Sequence, residues 1–113
     1  MNLQHELEKL SGKTLATLDR QKRFDVLSVT PKQIMLYIQA TGKERKMHWQ
    51  EIEPAWEWLQ RQGHLTRVDI REHFSERNPA YVAALLAALP GVTHRNVAHP
   101  PGKRAIITLY LDR

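Results

Sequence analysis

Across residues 51–111 the apolar positions recur three times at helical spacing and then alternate twice, and this order constrains the fold more than any other feature of the chain. Ile52, Ala55, Trp56 and Leu59 make one apolar helical face. Pro54 is expected within the first turn of that helix, where its missing N–H costs little, and Glu51 and Glu53 suit the positive helix start. Arg61 and Gly63 fit its end. Trp58 lies off this face and is expected to cover a sheet. Thr66 reads as the N-cap of a second helix, with Asp69 in the place of a capping-box acid and Leu65 and Ile70 as a hydrophobic staple. Gly63-His64 is then a tight joint that sets the first two helices sharply against each other.

Asn78 reads as the cap of a third helix, and Pro79 takes its first position. Val82, Leu85, Leu86 and Leu89 form a stripe at i, i+3, i+4 and i+7, and Ala80, Ala83, Ala84, Ala87 and Ala88 fill the rest. No residue from 79 to 93 is charged, so something is expected to approach this helix closely on its second side. Pro90-Gly91 ends it. Residues 92–98 and 105–111 alternate as two strands around a tip at 99–104.

Before residue 50 the pattern differs. Leu3, Leu7 and Leu10 mark a short amphipathic helix that Ser11-Gly12 stops. From Thr14 to Trp49 the period is two. Leu15 and Leu18 fall in a short strand. Phe24, Val26 and Ser28 alternate with Asp25, Leu27 and Val29; Ile34, Leu36 and Ile38 alternate with Met35, Tyr37 and Gln39. Thr30-Pro31-Lys32-Gln33 and Thr41-Gly42-Lys43-Glu44 are turn compositions. Residues 43–48 form a strand with cations on both faces, which suits a sheet edge. The expectation is an α+β fold: an N-terminal helix and antiparallel meander over residues 1–49, then a helical unit closed by a β-hairpin over 50–113. No linker separates them, which allows a shared core.

Composition excludes several function classes. Of the 113 residues, 42% are apolar and 26% charged, as in ordinary globular chains. No apolar run approaches the roughly 18 residues of a membrane helix. Glu6, Glu8 and Lys9 interrupt any apolar segment near the start, so no signal peptide is expected. The absence of cysteine excludes disulfides, Cys-based zinc sites and thiol catalysis, and a cytoplasmic location is expected. The net charge of +5 and pI of about 9.8 favour polyanionic partners. The excess sits at the ends: +2 in residues 1–40 (six Lys/Arg, four Asp/Glu) and +3 in 91–113 (four against one), with 41–63 and 64–90 balanced.

The joint Gly63-His64-Leu65-Thr66-Arg67-Val68-Asp69-Ile70, the Asn78-Pro79 start and the terminal hairpin together resemble a winged helix-turn-helix over about residues 51–111. The joint looks like the Gly-x-Leu-Thr-x-x-x-Ile entry common in such domains. Residues 1–49 carry no such resemblance. The resemblance implies that the third helix enters a DNA major groove with its early residues leading. Ser75, Arg77, Asn78 and Tyr81 are then the candidate contacts, Arg and Asn being able to make bidentate contacts to base edges. The helix body, however, offers alanines in place of Arg, Lys, Gln or Asn, which moves the weight to phosphate contacts that position but do not specify. The plainer roles are an N-cap for Asn78 and a solvated charge for Arg77.

Two basic clusters are the further candidates. His94, Arg95, His99, Lys103 and Arg104 gather on the terminal hairpin, where cations can meet phosphates or enter a minor groove. Gly102 permits its turn and Pro100-Pro101 stiffen it. Lys43, Arg45 and Lys46, with Lys22 and Arg23 near them, make a basic sheet on which Tyr37 and Trp49 could stack exposed bases. The plain alternatives are a solvated hairpin and a protected sheet edge. His5, His48, His64, His73, His94 and His99 show no metal-ligand spacing, so no metal is expected. No Gly-rich phosphate loop or nucleophile elbow is present, and no cofactor or enzymatic activity is expected. The functional expectation is a duplex-DNA-binding protein, in the manner of a transcriptional regulator, that grips the phosphate backbone through a basic wing. The alternative is a protein-interaction module that forms a two-fold homodimer through the alanine-rich side of the third helix.

Overall fold

The computed structural model describes residues 2–97 and 105–112. Helix α1 (Leu3–Glu8) starts under Asn2, whose Oδ1 accepts the His5 N–H at 3.1 Å. It lays Leu7 and, just beyond its end, Leu10 into the core. A four-stranded antiparallel sheet follows in the order β1 (Thr14–Ala16), β2 (Arg23–Val29), β3 (Ile34–Ile38), β4 (Lys43–Met47). Alternation along β3 buries Ile34, Leu36 and Ile38, and register puts Val26 opposite Leu36 and Phe24 opposite Ile38 on the same face. The alternation expected for β2 breaks at Leu27. Pairing passes from Val26↔Leu36 to Ser28↔Met35, so Leu27 is the extra residue of a bulge and stands 44% exposed. The slip moves Val29, not Ser28, to the core side, opposite Ile34. β4 is the edge, with Lys43, Glu44, Arg45 and Lys46 exposed and Met47 fully buried.

Helix α2 (Trp49–Gln62) buries Ile52, Ala55, Trp56 and Leu59 and ends at Gly63, whose φ of 81° needs a residue without a Cβ. The Glu51 carboxylate accepts the His48 N–H at 2.8 Å, which fixes the start two residues before Glu51. Pro54 therefore falls in the second turn, not the first. The carbonyl of Gln50 loses a helical donor there, at low cost because Gln50 is exposed. The aromatic contacts of Trp58 are with α3 and its end. The indole stacks on His73 (centroids 5.7 Å, planes 17°) and meets Phe74 edge-on at 5.8 Å, so it fastens α2 to α3.

The Gly63-His64 joint is more than a turn. His64–Thr66 is a short strand, β5, that pairs with the last strand of the chain. Helix α3 (Arg67–His73) has the expected capping box: Thr66 Oγ1 accepts the Asp69 N–H at 3.0 Å and Asp69 accepts the Thr66 N–H at 3.2 Å. Helix α4 (Pro79–Ala87) leads to β6 (Val92–Val97) and β7 (Ile106–Leu111), and the second sheet has the order β5-β7-β6. Leu65 opposes Leu109 in its middle, and both are fully buried.

Every residue of α4 is buried or half-buried. It meets α2, α3 and β6 as well as β1, and Tyr81 lies edge-on to Phe24 of β2 at 5.1 Å. The chain's own first sheet is thus among the elements that approach the third helix. One hydrophobic cluster therefore runs from Leu7 to Leu109 across both halves. Each large aliphatic side chain buried in it contributes about 1.5–3 kcal/mol. Among the described residues no helix is long and apolar enough to cross a membrane.

Candidate nucleic-acid interface

The amino end of α4 is held by a polar network. Glu51 Oε1 accepts from Ser75 Oγ at 2.6 Å and from Asn78 Nδ2 at 2.7 Å. Ser75 Oγ accepts the Asn78 N–H at 3.0 Å, and Arg45 Nη1 donates to Asn78 Oδ1 at 2.9 Å and to the Arg77 carbonyl at 3.1 Å. Partial burial opposes ionisation of Glu51, yet the hydrogen bonds from Ser75, the His48 backbone and Asn78 outweigh it and hold its carboxyl below the ordinary carboxylate value. The network ties β4, the start of α2 and the α3–α4 loop together. It also changes what Asn78 does. The residue stands at the N-cap position, but its side chain makes no cap bond and is turned into the network, 3% exposed.

Around this helix end the cations converge. Arg20 and Lys22 come from the β1–β2 turn, and Arg67 and Arg71 from successive turns of α3. With Thr17, Asp19, Pro79, Ala80 and Tyr81 they line a cavity of about 280 Å³. The turn is fixed from within: Thr17 N–H donates to the Lys22 carbonyl at 2.9 Å, and Thr17 Oγ1 accepts the Lys22 N–H at 3.0 Å. Gln21 sits at φ 55°, a left-handed conformation that costs a non-glycine residue about 1 kcal/mol and is kept by those bonds. Arg67 is ion-paired with Asp19. Burial opposes ionisation of Asp19, but the Arg20 backbone bond and the Arg67 guanidinium lower its pKa below the ordinary value. The ring of Tyr81, which also lines the cavity, packs edge-on against Phe24. The Arg45 guanidinium stands over the same ring, 5.3 Å from its centroid.

Of the residues singled out in the sequence, Arg45, Arg77, Asn78 and Tyr81 come together here, and Ser75 is buried beneath them. The roles expected for them change. Ser75 and Asn78 face Glu51, and the α4 body has no exposed position to put into a groove. Lys43 shares the Arg45 face of β4 by alternation, whereas Lys46 lies on the opposite face, beside Met35. Arg23 is at the same end of the sheet as Lys43, with β3 between. Tyr37 offers no basic stacking platform, because Asp25 and Glu44 oppose it on either side. The Trp49 indole N–H donates to the Thr30 carbonyl at 2.8 Å.

His94 and Arg95 are exposed on β6, apart from this cluster, with the Arg95 guanidinium 4.6 Å from the Tyr110 ring centroid. His99, Lys103 and Arg104 lie outside the described residues. On the alanine-rich side of the third helix Ala83 and Ala84 are 1% and 4% exposed, Ala80 and Ala87 are half-buried, and Ala88, just past the helix, is exposed. Sequence reading missed Arg20, Arg67 and Arg71. The only local signal was the i, i+4 spacing of Arg67 and Arg71, which puts two like charges on one helix face. No protein-family model matches the chain, and no match was found among curated proteins or solved structures.

Proposed function

We propose that the protein binds nucleic acid, duplex DNA in the first instance, through phosphate contacts at the amino end of α4, with the β6–β7 hairpin as an accessory wing. The observation that carries this reading is the convergence of Arg20, Lys22, Arg67 and Arg71 on one cavity beside Tyr81, with Arg45 and Arg77 next to it. In this reading the chain from α2 to β7 is a winged helix-turn-helix variant. Supporting it are the element order α2, β5, α3, α4, β6, β7 and the sheet order β5-β7-β6, which sets the strand between the first two helices against the hairpin. The variant differs in its third helix, which serves as a core element and does not read bases.

Binding of this kind is sequence-tolerant, because phosphate contacts position without specifying. His94 and Arg95 on β6 add charge there, Lys103 and Arg104 add to the positive charge of the same stretch of sequence, and no catalytic step is part of the proposal. About four neutralised phosphates give a log–log salt slope on the order of −3 to −4. Fluorescence anisotropy with random duplexes tests this. Affinities within about threefold across sequences, falling steeply with salt, support the reading. Absence of binding at about 50 mM salt contradicts it.

A further inference from the structure

We infer that the cavity between the β1–β2 turn, α3 and the amino end of α4 is a seat for a phosphomonoester, the terminal phosphate of a strand or of a small molecule. This deepens, and rests on, the phosphate-binding reading above. Four cationic side chains and one carboxylate line the cavity, and the carboxylate is already paired with Arg67. Among the described residues Arg20, Lys22 and Arg71 have no carboxylate partner. The lining carries a net charge of +3, from four cations less Asp19. Like charges gathered about one small space repel each other, and an anion there relieves the repulsion. A phosphomonoester carries about −1.5 to −2 at neutral pH, so it answers this excess better than a single internal phosphodiester.

Shape points the same way. The cavity of about 280 Å³ draws its walls from three elements, the β1–β2 turn, α3 and the start of α4, which suits a chain end more than a strand running through. The helix end adds donors to a site the cations already define. Asn78 stands where a capping side chain belongs but is turned to Glu51 and Arg45, so no side chain caps α4. The Ala80 and Tyr81 amides at the cavity wall are left for a ligand. The α3 cations, one turn apart, supply the charge-assisted hydrogen bonds.

The test compares one short duplex carrying 5′-phosphates with the same duplex carrying 5′-hydroxyls, by anisotropy. Phenyl phosphate serves as a small monoester, followed by amide shifts in NMR spectra. The expected result is at least tenfold tighter binding of the phosphorylated duplex, with shifts at Ala80 and Tyr81. Arg71→Gln should remove the preference; Arg71 is exposed, and an unchanged amide spectrum elsewhere certifies its fold. Equal affinity for both duplexes, with no phenyl phosphate shifts at Ala80 or Tyr81, overturns the seat and leaves the backbone grip standing. Binding of neither duplex, with phenyl phosphate still shifting Ala80 and Tyr81, keeps the seat and removes the nucleic-acid reading. No response to any of the three ligands removes both.

Discussion

The two ends of α4 are built for different work. Its carboxyl half is apolar throughout, with Leu85 and Leu86 sealed in the core and uncharged residues from Pro79 to Thr93. Its amino end is ringed by Arg20, Lys22, Arg45, Arg67 and Arg71, and held by a part-buried network centred on Glu51. The same nine-residue helix is thus a core pin at one end and the wall of a cationic cavity at the other. Net charge alone does not mark the second role. Residues 91–113 carry the chain's largest local excess of positive charge, yet on β6 His94 and Arg95 stand exposed on an outer strand, with Tyr110 under Arg95. Convergence onto one space separates a candidate site from a solvated charge.

The largest expected effect comes at the carboxyl half. Leu86→Ala removes a fully buried side chain and should cost about 2–5 kcal/mol in chemical denaturation, with the salt slope of binding unchanged in the folded fraction. A loss below about 1 kcal/mol breaks the picture of a sealed end.

Glu51→Gln should cost about 1.5–3 kcal/mol, because the carboxylate accepts from Ser75, Asn78 and His48. It also changes the acid limb. The folded carboxyl titrates below its ordinary value of 4.5, so near that pH the folded state binds fewer protons than the unfolded chain. The stability it contributes is complete above about pH 4.5 and is lost as pH falls through the lowered folded value. Denaturation midpoints from pH 7 to pH 3 should fall less steeply in the variant, and parallel curves would remove Glu51 from the network's charge balance.

At the cavity the order reverses, with binding affected and stability spared. Arg67→Gln with Arg71→Gln should weaken duplex binding about tenfold and change unfolding by about 0.5 kcal/mol or less, as surface substitutions do. Arg95→Gln, or Lys103→Ala with Arg104→Ala, should weaken binding by less than about threefold and equally for all sequences. A wing effect larger than the cavity effect would invert the comparison between the two basic regions.

Local signals in the sequence located most elements, because each depends on neighbours within a turn. The Thr66–Asp69 capping box, Pro79 at a helix start and Gly63 at a helix end are of this kind. The β4 edge was legible from its unbroken charges. What failed depended on distant partners. The bulge at Leu27 follows from pairing with β3, and β5 exists only because β7 lies beside it. Asn78 looks like a cap until Glu51 and Arg45 are brought to it from 27 and 33 residues away. The cavity is the same case: Arg20 and Lys22 belong to a turn of the first sheet, and nothing local predicts that they face Arg67 and Arg71.

The most direct measurement is the salt dependence of binding to a random duplex, wild type beside Arg67→Gln/Arg71→Gln, between about 50 and about 200 mM salt. The expected result is a wild-type log–log slope on the order of −3 to −4 that shrinks by about 2 in the variant. Equal slopes in the two proteins would mean that Arg67 and Arg71 touch no phosphate, which contradicts a grip centred on this cavity.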